Sequence, residues 1–428
     1  LEYTKSVYSF RHQYEEKMFF RRKKLKPLAD RGPLRVMFVI TSMPVGGMEV
    51  LLVDLIRRLD RERFLPELCC LKYFDTLGEK LAEEIPAFTG LIANKYDVRV
   101  LDRLAKLLRQ RRIDAVITVG TGGDKMFWGR LAARLEGVPV ICSALHSTGM
   151  PDRVEFLNRL LAPITDAFIG VAEPHGKYLA EREGCPAHKI CVIPNGVDVE
   201  KFHPRWPSSK SRQEFGIREG SPIVGIVAAL RPEKNHELFL QAAAIVRREM
   251  PETVFLIVGD GPRRLELEKL AAELSLTESV RFAGTRADIP ELLGLMDVFA
   301  LTSHCEANPV SIIEAMACEK PVVAPRVGSV HETVLDGQTG YLVPPGDADQ
   351  TAGRILELLR DREQATNFGR NAREQVIARW SIRQMVCGYE NLIEGIYQSK
   401  ASGGTFEVNA LVSTLPAGTQ FRDTKVKH

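Results

Sequence analysis

Nowhere in the chain do about 18 apolar residues run together, the length a membrane-spanning helix needs. The first residues also lack the basic, apolar, small-residue order of a secretory signal, so residence in the cytoplasm is expected. No C-x-x-C pair occurs among the eight cysteines, at 69, 70, 142, 185, 191, 305, 318 and 387, which removes a zinc ribbon or thioredoxin-type site. Several of them, such as Cys142 and Cys318, lie in apolar runs, and buried reduced thiols are the favoured reading. Neither sign of charge is in excess: 58 basic against 55 acidic residues leave +3, and no nucleic-acid partner is expected. No G-x-G-x-x-G follows either leading strand, where the loops read Pro44-Val45-Gly46-Gly47 and Leu230-Arg231-Pro232-Glu233, which argues against a dinucleotide oxidoreductase.

What is present is an ordinary globular composition, 45% hydrophobic and 26% charged, over 428 residues. At roughly 100–200 residues per domain, two or three domains are expected. Residues 1–33 form a basic N-terminal extension ending at Gly32-Pro33. Within it Met18-Phe19-Phe20 precedes Arg21, Arg22, Lys23, Lys24 and Lys26. Such a segment suits an anionic membrane surface or a solvated arm, and the second carries more weight.

From Leu34 a βα rhythm begins. The run 34–40 reads as a strand, Pro44 to Gly47 as a glycine turn, and Val50, Leu51, Val53, Leu55, Ile56 and Leu59 as one helical face. Further strands are expected near 115–119, 138–141 and 167–171, with helices at 125–136 and 174–182. These continuous apolar runs suit buried parallel strands. The turn-rich stretch from Ile193 to Pro204 reads as a connector. The rhythm then restarts, with strands near 223–229, 254–258, 280–282, 298–302, 321–324 and 341–343, and closes with helices over 348–360 and 362–397. The expected architecture is α/β: two doubly wound Rossmann-like domains, 34–200 and 201–380, facing a cleft. A helix over 381–397 is expected to return toward the first domain, and 398–428 is expected to be a poorly ordered tail.

The strongest local pattern lies between Leu301 and Met316, where Glu306 and Glu314 stand eight residues apart. Glu306 falls in a loop after a strand and Glu314 inside the next helix. Asn308 suits an N-cap and Pro309 the first helical position, leaving the N–H groups of Val310 and Ser311 free for a phosphate. Glu314 sits among Val310, Ile312, Ile313, Ala315 and Met316, where a carboxylate needs donors such as sugar hydroxyls. By spacing alone a structural carboxylate is as good a reading.

The segment from Glu306 to Ala324 resembles the E-x7-E block of glycosyltransferase family 4, retaining enzymes of the GT-B fold. Other blocks agree in order and spacing: Pro44 to Glu49, Pro194-Asn195-Gly196-Val197-Asp198, Arg231 to Asn235, Val258 to Pro262, and Asp336 to Val343. The resemblance covers about residues 34–397 and implies roles. Glu314 would bind the nucleotide ribose. Glu306 would lie beside the transferred sugar, and Lys234 would contact the diphosphate. Backbone N–H groups of Asn308, Pro309's neighbour Val310, and Ser311 would hold donor oxygens. Gly46 and Gly47 would admit the donor to the first-domain loop, and His146 would lie near sugar and acceptor. It also implies a UDP- or GDP-sugar donor, a glycan or lipid-linked acceptor, and no cofactor or metal, since no D-x-D motif stands in the expected loop position. Contact with the inner face of the cytoplasmic membrane extends the same expectation.

Two departures stand out. Ala229 occupies a position where the family usually has Arg, and Arg231 follows two residues later, equally placed to replace it or to sit on a solvated loop. Glu319 stands where the family often has Gly. A lone strand-end histidine such as His146 is otherwise more often structural. His304 and Asp124 are softer cleft candidates. The basic stretch Lys106, Arg109, Arg111 and Arg112 reads as a solvated helix face or a membrane-facing one. Ala229 also keeps open a non-catalytic nucleotide-sugar-binding or scaffold protein of the same fold.

Overall fold

The computed structural model of the chain describes residues 25–94, 97–120, 126–146, 155–205 and 209–404, with Phe406 and Val408. The basic cluster 18–24, Asp124 and most of the tail lie outside the described residues.

Two parallel sheets form the frame. The first has seven strands in the order β3-β2-β1-β4-β5-β6-β7: β1 (Leu34–Ile40), β2 (Phe64–Cys70), β3 (Ala87–Thr89), β4 (Ala115–Gly120), β5 (Val140–Leu145), β6 (Ala167–Gly170) and β7 (Ile190–Val192). The second has six in the order β10-β9-β8-β11-β12-β13: β8 (Ile223–Val227), β9 (Val254–Val258), β10 (Val280–Gly284), β11 (Val298–Ala300), β12 (Val322–Pro325) and β13 (Gly340–Val343). The order reverses beside β1 and beside β8, and such switch points open crevices at the carboxyl ends of the strands.

The helices that position the site are α1 (Gly47–Arg58), α2 (Val100–Arg111), α3 (Met126–Leu135), α4 (Glu155–Leu161), α5 (Glu173–Glu181), α6 (His236–Glu249), α7 (Val310–Ala317), α8 (Arg362–Arg379) and α9 (Ile382–Ala401). Helix α1 buries Leu51, Leu52, Val53, Leu55 and Ile56 against the first sheet, the stripe its periodicity predicts. Strand β2 escapes a reading by apolar runs because Pro66 and Glu67 interrupt it. Glu67 is 1% exposed and accepts from Arg35 Nη1 at 3.1 Å and Arg111 Nε at 2.8 Å. The basic stretch of α2 is largely neutralised: Lys106 pairs with Asp102, Arg109 with Glu136 and Arg111 with Glu67.

The helical stretch 362–397 breaks at Trp380-Ser381, at the boundary expected between the second domain and the returning helix. There the chain crosses back to the first domain, and Ser381 caps α9 by accepting from Gln384 N–H. Helix α9 packs Ile382, Met385, Val386, Tyr389, Leu392, Ile393, Ile396 and Tyr397 into the first domain's core. Arg63 binds Glu390 and Glu394, and Arg31 from the N-terminal extension binds Asp114 and Tyr397. The tail boundary expected at Gln398 is therefore too early: α9 continues to Ala401, and Val408 is buried in the same core.

The two crossings touch. Val197 N–H donates to Trp380 O and Ile382 N–H to Val197 O, each at 2.8 Å. A Cβ on Gly196 would lie 2.6 Å from Ser381 O and 2.8 Å from Ile382 Cα, so only glycine fits this contact. Six of the eight cysteines are buried, Cys305 and Cys387 are partly exposed, and all eight are free thiols.

Candidate active site

The loops after β8 and β11 meet at Glu306. Lys234 ends a short 3-10 turn, Pro232–Lys234, closed by Asn235 in the left-handed region at φ 48°. Its Nζ donates to Glu306 Oε1 at 2.6 Å, and Ser303 Oγ donates to the same oxygen at 2.6 Å. The loops are also joined through backbone: His304 N–H donates to Glu233 O at 2.9 Å, and Thr302 Oγ1 to Lys234 O at 3.2 Å. Glu306 is 8% exposed, and its own carbonyl accepts from Ser329 N–H at 3.3 Å. Gly328 makes that approach possible, because a Cβ there, at φ +49°, would fall 1.7 Å from Glu306 O.

Helix α7 starts one residue later than expected. Pro309 is the N-cap (φ −71°, ψ 112°) and Val310 the first helical residue, so Asn308 lies just outside. The displacement is within the usual uncertainty of helix ends. The result for ligand binding is unchanged: the first N–H groups of a helix have no intrahelical acceptor and carry the positive end of its dipole. Asn195, from the connector, donates through Nδ2 to Asn308 O at 3.0 Å and fixes this terminus to the crossing.

The first domain closes on the same point. Gly46 caps α1 and Gly47 begins it, and a Cβ on Gly47 would lie 3.8 Å from the Val310 side chain. The amino ends of α1 and α7 thus converge across the cleft. Glu49, in the first turn of α1, has its carboxyl raised above the ordinary range by burial; its own backbone N–H and the charge of Arg231 counter that rise. Arg231 is exposed on the second-domain rim, 4.0 Å from Glu233, and faces the first domain. It does not occupy the strand-end position held by Ala229.

Glu314 lies one turn into α7, half-buried. Burial pushes its carboxyl up to about 7, with Lys201 opposing and Asp54 of α1 reinforcing the shift. His146 directly follows β5, its N–H donating to Gly120 O at 3.1 Å. Burial, with the nearby His175, lowers its ring to about 4, so it is neutral at pH 7. His304 is exposed beside the Lys234–Glu306 pair.

Sequence reasoning did not single out Ser303, Asn195 as a brace, or Asp54. Ser303 stands three residues before Glu306, a visible spacing. Asp54 reaches Glu314 only through domain closure, which no local pattern encodes.

Comparison with known proteins bears on the family and the fold. The model described as glycosyl transferases group 1 matches residues 207–375, and the model described as glycosyltransferase family 4 matches residues 45–201. The chain is 27% identical over 365 residues to a UDP-Gal:alpha-D-GlcNAc-diphosphoundecaprenol alpha-1,3-galactosyltransferase of Escherichia coli, covering 81% of this chain and 93% of that protein. It is 29% identical over 307 residues to a GDP-mannose-dependent alpha-(1-6)-phosphatidylinositol monomannoside mannosyltransferase of Mycolicibacterium smegmatis, covering 69% and 73%. The crystal structure of HepE of Anabaena in complex with UDP-glucose superposes with a TM-score of 0.73 at 25% identity, covering 86% of this chain and all of that one. The fold is GT-B, and the two family models divide the chain where its two sheets divide. From sequence blocks, fold and matched models alike, the chain belongs to glycosyltransferase family 4 and is a nucleotide-sugar-dependent glycosyltransferase.

Proposed function

We propose that the enzyme moves a sugar, with retention of anomeric configuration and without a metal, from a UDP- or GDP-sugar to a glycan or lipid-linked acceptor in polysaccharide or glycoconjugate synthesis. The observation that carries this reading is the convergence of Lys234, Glu306 and the amino ends of α1 and α7 on one point of the cleft. Breaking a glycosyl–phosphate bond builds negative charge on the leaving diphosphate and positive charge on the sugar. Lys234 and the N–H groups at Val310 and Ser311 stabilise the first, in a site with restricted access to water. The neutral ring of His146 offers a donor and an acceptor to a sugar hydroxyl and adds no positive charge beside the ring carbon. Glu306 balances Lys234 and orients it. Glu314 accepts from ribose hydroxyls. Gly46 and Gly47 leave room for the donor under α1.

The similar galactosyltransferase of Escherichia coli and mannosyltransferase of Mycolicibacterium smegmatis support both donor bases and lipid-linked acceptors. Among the described residues no helix is long and apolar enough to cross a membrane. The proposed location is the cytoplasm, with peripheral contact at the inner face of the membrane.

Calorimetric binding of UDP, GDP and NAD to the wild type and to Lys234→Ala tests the reading. One nucleoside diphosphate should bind and NAD should not, and the variant should bind it more weakly. No binding of UDP or GDP would instead favour a scaffold protein of this fold.

A further inference from the structure

Glu314 is the one acid on an apolar helix, and the charges that act on it come from other parts of the chain. The connector supplies Lys201, which favours its ionised form, and α1 of the first domain supplies Asp54, which opposes it. On α7 itself the neighbouring titratable group is Cys318, whose buried thiol is pushed up to about 12 and stays neutral. Arg373 of α8, which packs on α7, is engaged by the carbonyls of Phe202 and Ala317. Helix α1 reaches this place because its amino end already touches α7, at Gly47 against Val310.

Asp54 is held in place. Arg58, one turn further along α1, donates from Nη1 to Asp54 Oδ1 at 2.5 Å and from Nη2 to Asp198 of the connector. The other oxygen of Asp198 accepts from Glu200 N–H at 3.0 Å and Lys201 N–H at 3.2 Å. The carboxylate that anchors Arg58 therefore also shapes the turn that carries Lys201. From Glu314 the signs alternate through Lys201, Asp198 and Arg58 to Asp54, and the circuit closes where Asp54 faces Glu314. That last contact is the unfavourable one: two acids face each other, one from each domain, and the second is already deprived of water. The side chain of Asp54 is 25% exposed, so solvent screens its charge only in part. Arg58 is the group that offsets it.

We infer that Asp54 is a positioning residue for donor binding: from the first domain it acts through Glu314 to set how tightly the nucleotide is held, and Arg58 moderates it. The inference rests on the ribose reading of Glu314 above. The test is calorimetric binding of UDP and GDP to the full chain at pH 6.5 and pH 8.5, comparing the wild type with Asp54→Asn, Arg58→Gln and Glu314→Gln. Comparing proteins at one pH cancels the titration of the ligand's own phosphate. Asp54→Asn should ease the ionisation of Glu314 and raise affinity at pH 6.5 by roughly twofold or more. Arg58→Gln leaves Asp54 without its counter-charge and should lower affinity at pH 6.5 by about the same factor. At pH 8.5, where Glu314 is ionised in each, both variants should approach the wild type. A merely structural role would weaken binding alike at both pH values. That result for Asp54→Asn, an affinity unchanged at pH 6.5, or shifts of the same sign in the two variants would overturn the inference. Should the ratio of wild-type to Glu314→Gln affinity be equal at the two pH values, the ribose reading itself would fall, and the inference with it.

Discussion

In the proposed ribose site, Glu314 should couple donor binding to pH. Its carboxyl sits at about 7 in the free enzyme because it is buried and faces Asp54. A ribose diol donates to the ionised form, so binding must release the proton. One unit below its pKa about a tenth of the carboxyl is ionised, and affinity for a nucleotide-sugar should fall about tenfold between pH 8 and pH 6. Calorimetry in buffers of different ionisation enthalpy should show proton release at pH 6 and little at pH 8; a pH-independent affinity would remove Glu314 from the ribose site. The sign for stability is opposite. The folded-state value lies above the unfolded one, so this group's contribution is full below the unfolded pKa and is lost as pH rises through about 7. Glu306 should behave differently from Glu314: Glu306→Ala should lower turnover more than nucleotide binding, and Glu314→Ala the reverse. Lys234→Ala should raise the barrier by about 3 kcal/mol, some two orders of magnitude in turnover. Glu319, where the family favours glycine, holds φ at +58°. Glu319→Gly should relieve that strain and raise the thermal midpoint, with a gain of up to about 1 kcal/mol.

At the scale of the element, helix α7 carries most of the proposed chemistry, and its amino end is held from outside its own domain's sheet. Asn195 fastens Asn308 O from the connector. Asn195→Ala should leave the second domain folded and weaken nucleoside diphosphate binding, because the brace on the phosphate-facing turn is lost; unchanged affinity would show that Pro309 sets the turn alone. Much of this was legible in the sequence. Loops at strand ends announce themselves by glycine, proline and polar residues after apolar runs, and Lys234, Glu306 and Glu314 all fall there or one turn beyond. Strand β2 was illegible because its buried Glu67 is balanced by Arg35 and Arg111 from other elements, a compensation that no single segment displays. The return toward the first domain was legible at 381, but the contact that fixes it, Val197 against Ser381, joins residues far apart in the chain and no local pattern displays it.

At the scale of the whole molecule, the cleft is built from groups that belong to both domains. Arg231 and Glu49 face each other across it, Asp54 faces Glu314, and Arg58 bridges Asp54 to Asp198 in the connector. At the crossing, Gly196 lets the connector lie directly against Ser381 and Ile382. Gly196→Ala should separate the two crossing strands and lower the thermal midpoint, while nucleotide binding to the remaining folded protein persists; an unchanged midpoint would mean that the crossing tolerates a methyl group. Because α9 completes the core that β1 begins, the second domain is in effect inserted into the first. A chain emerging from the ribosome can therefore finish the later-coded domain while the earlier one still lacks its last helix. The half that is synthesised first is the half that matures last, and a chain cut near residue 380 would present a finished donor domain joined to an unfinished acceptor one.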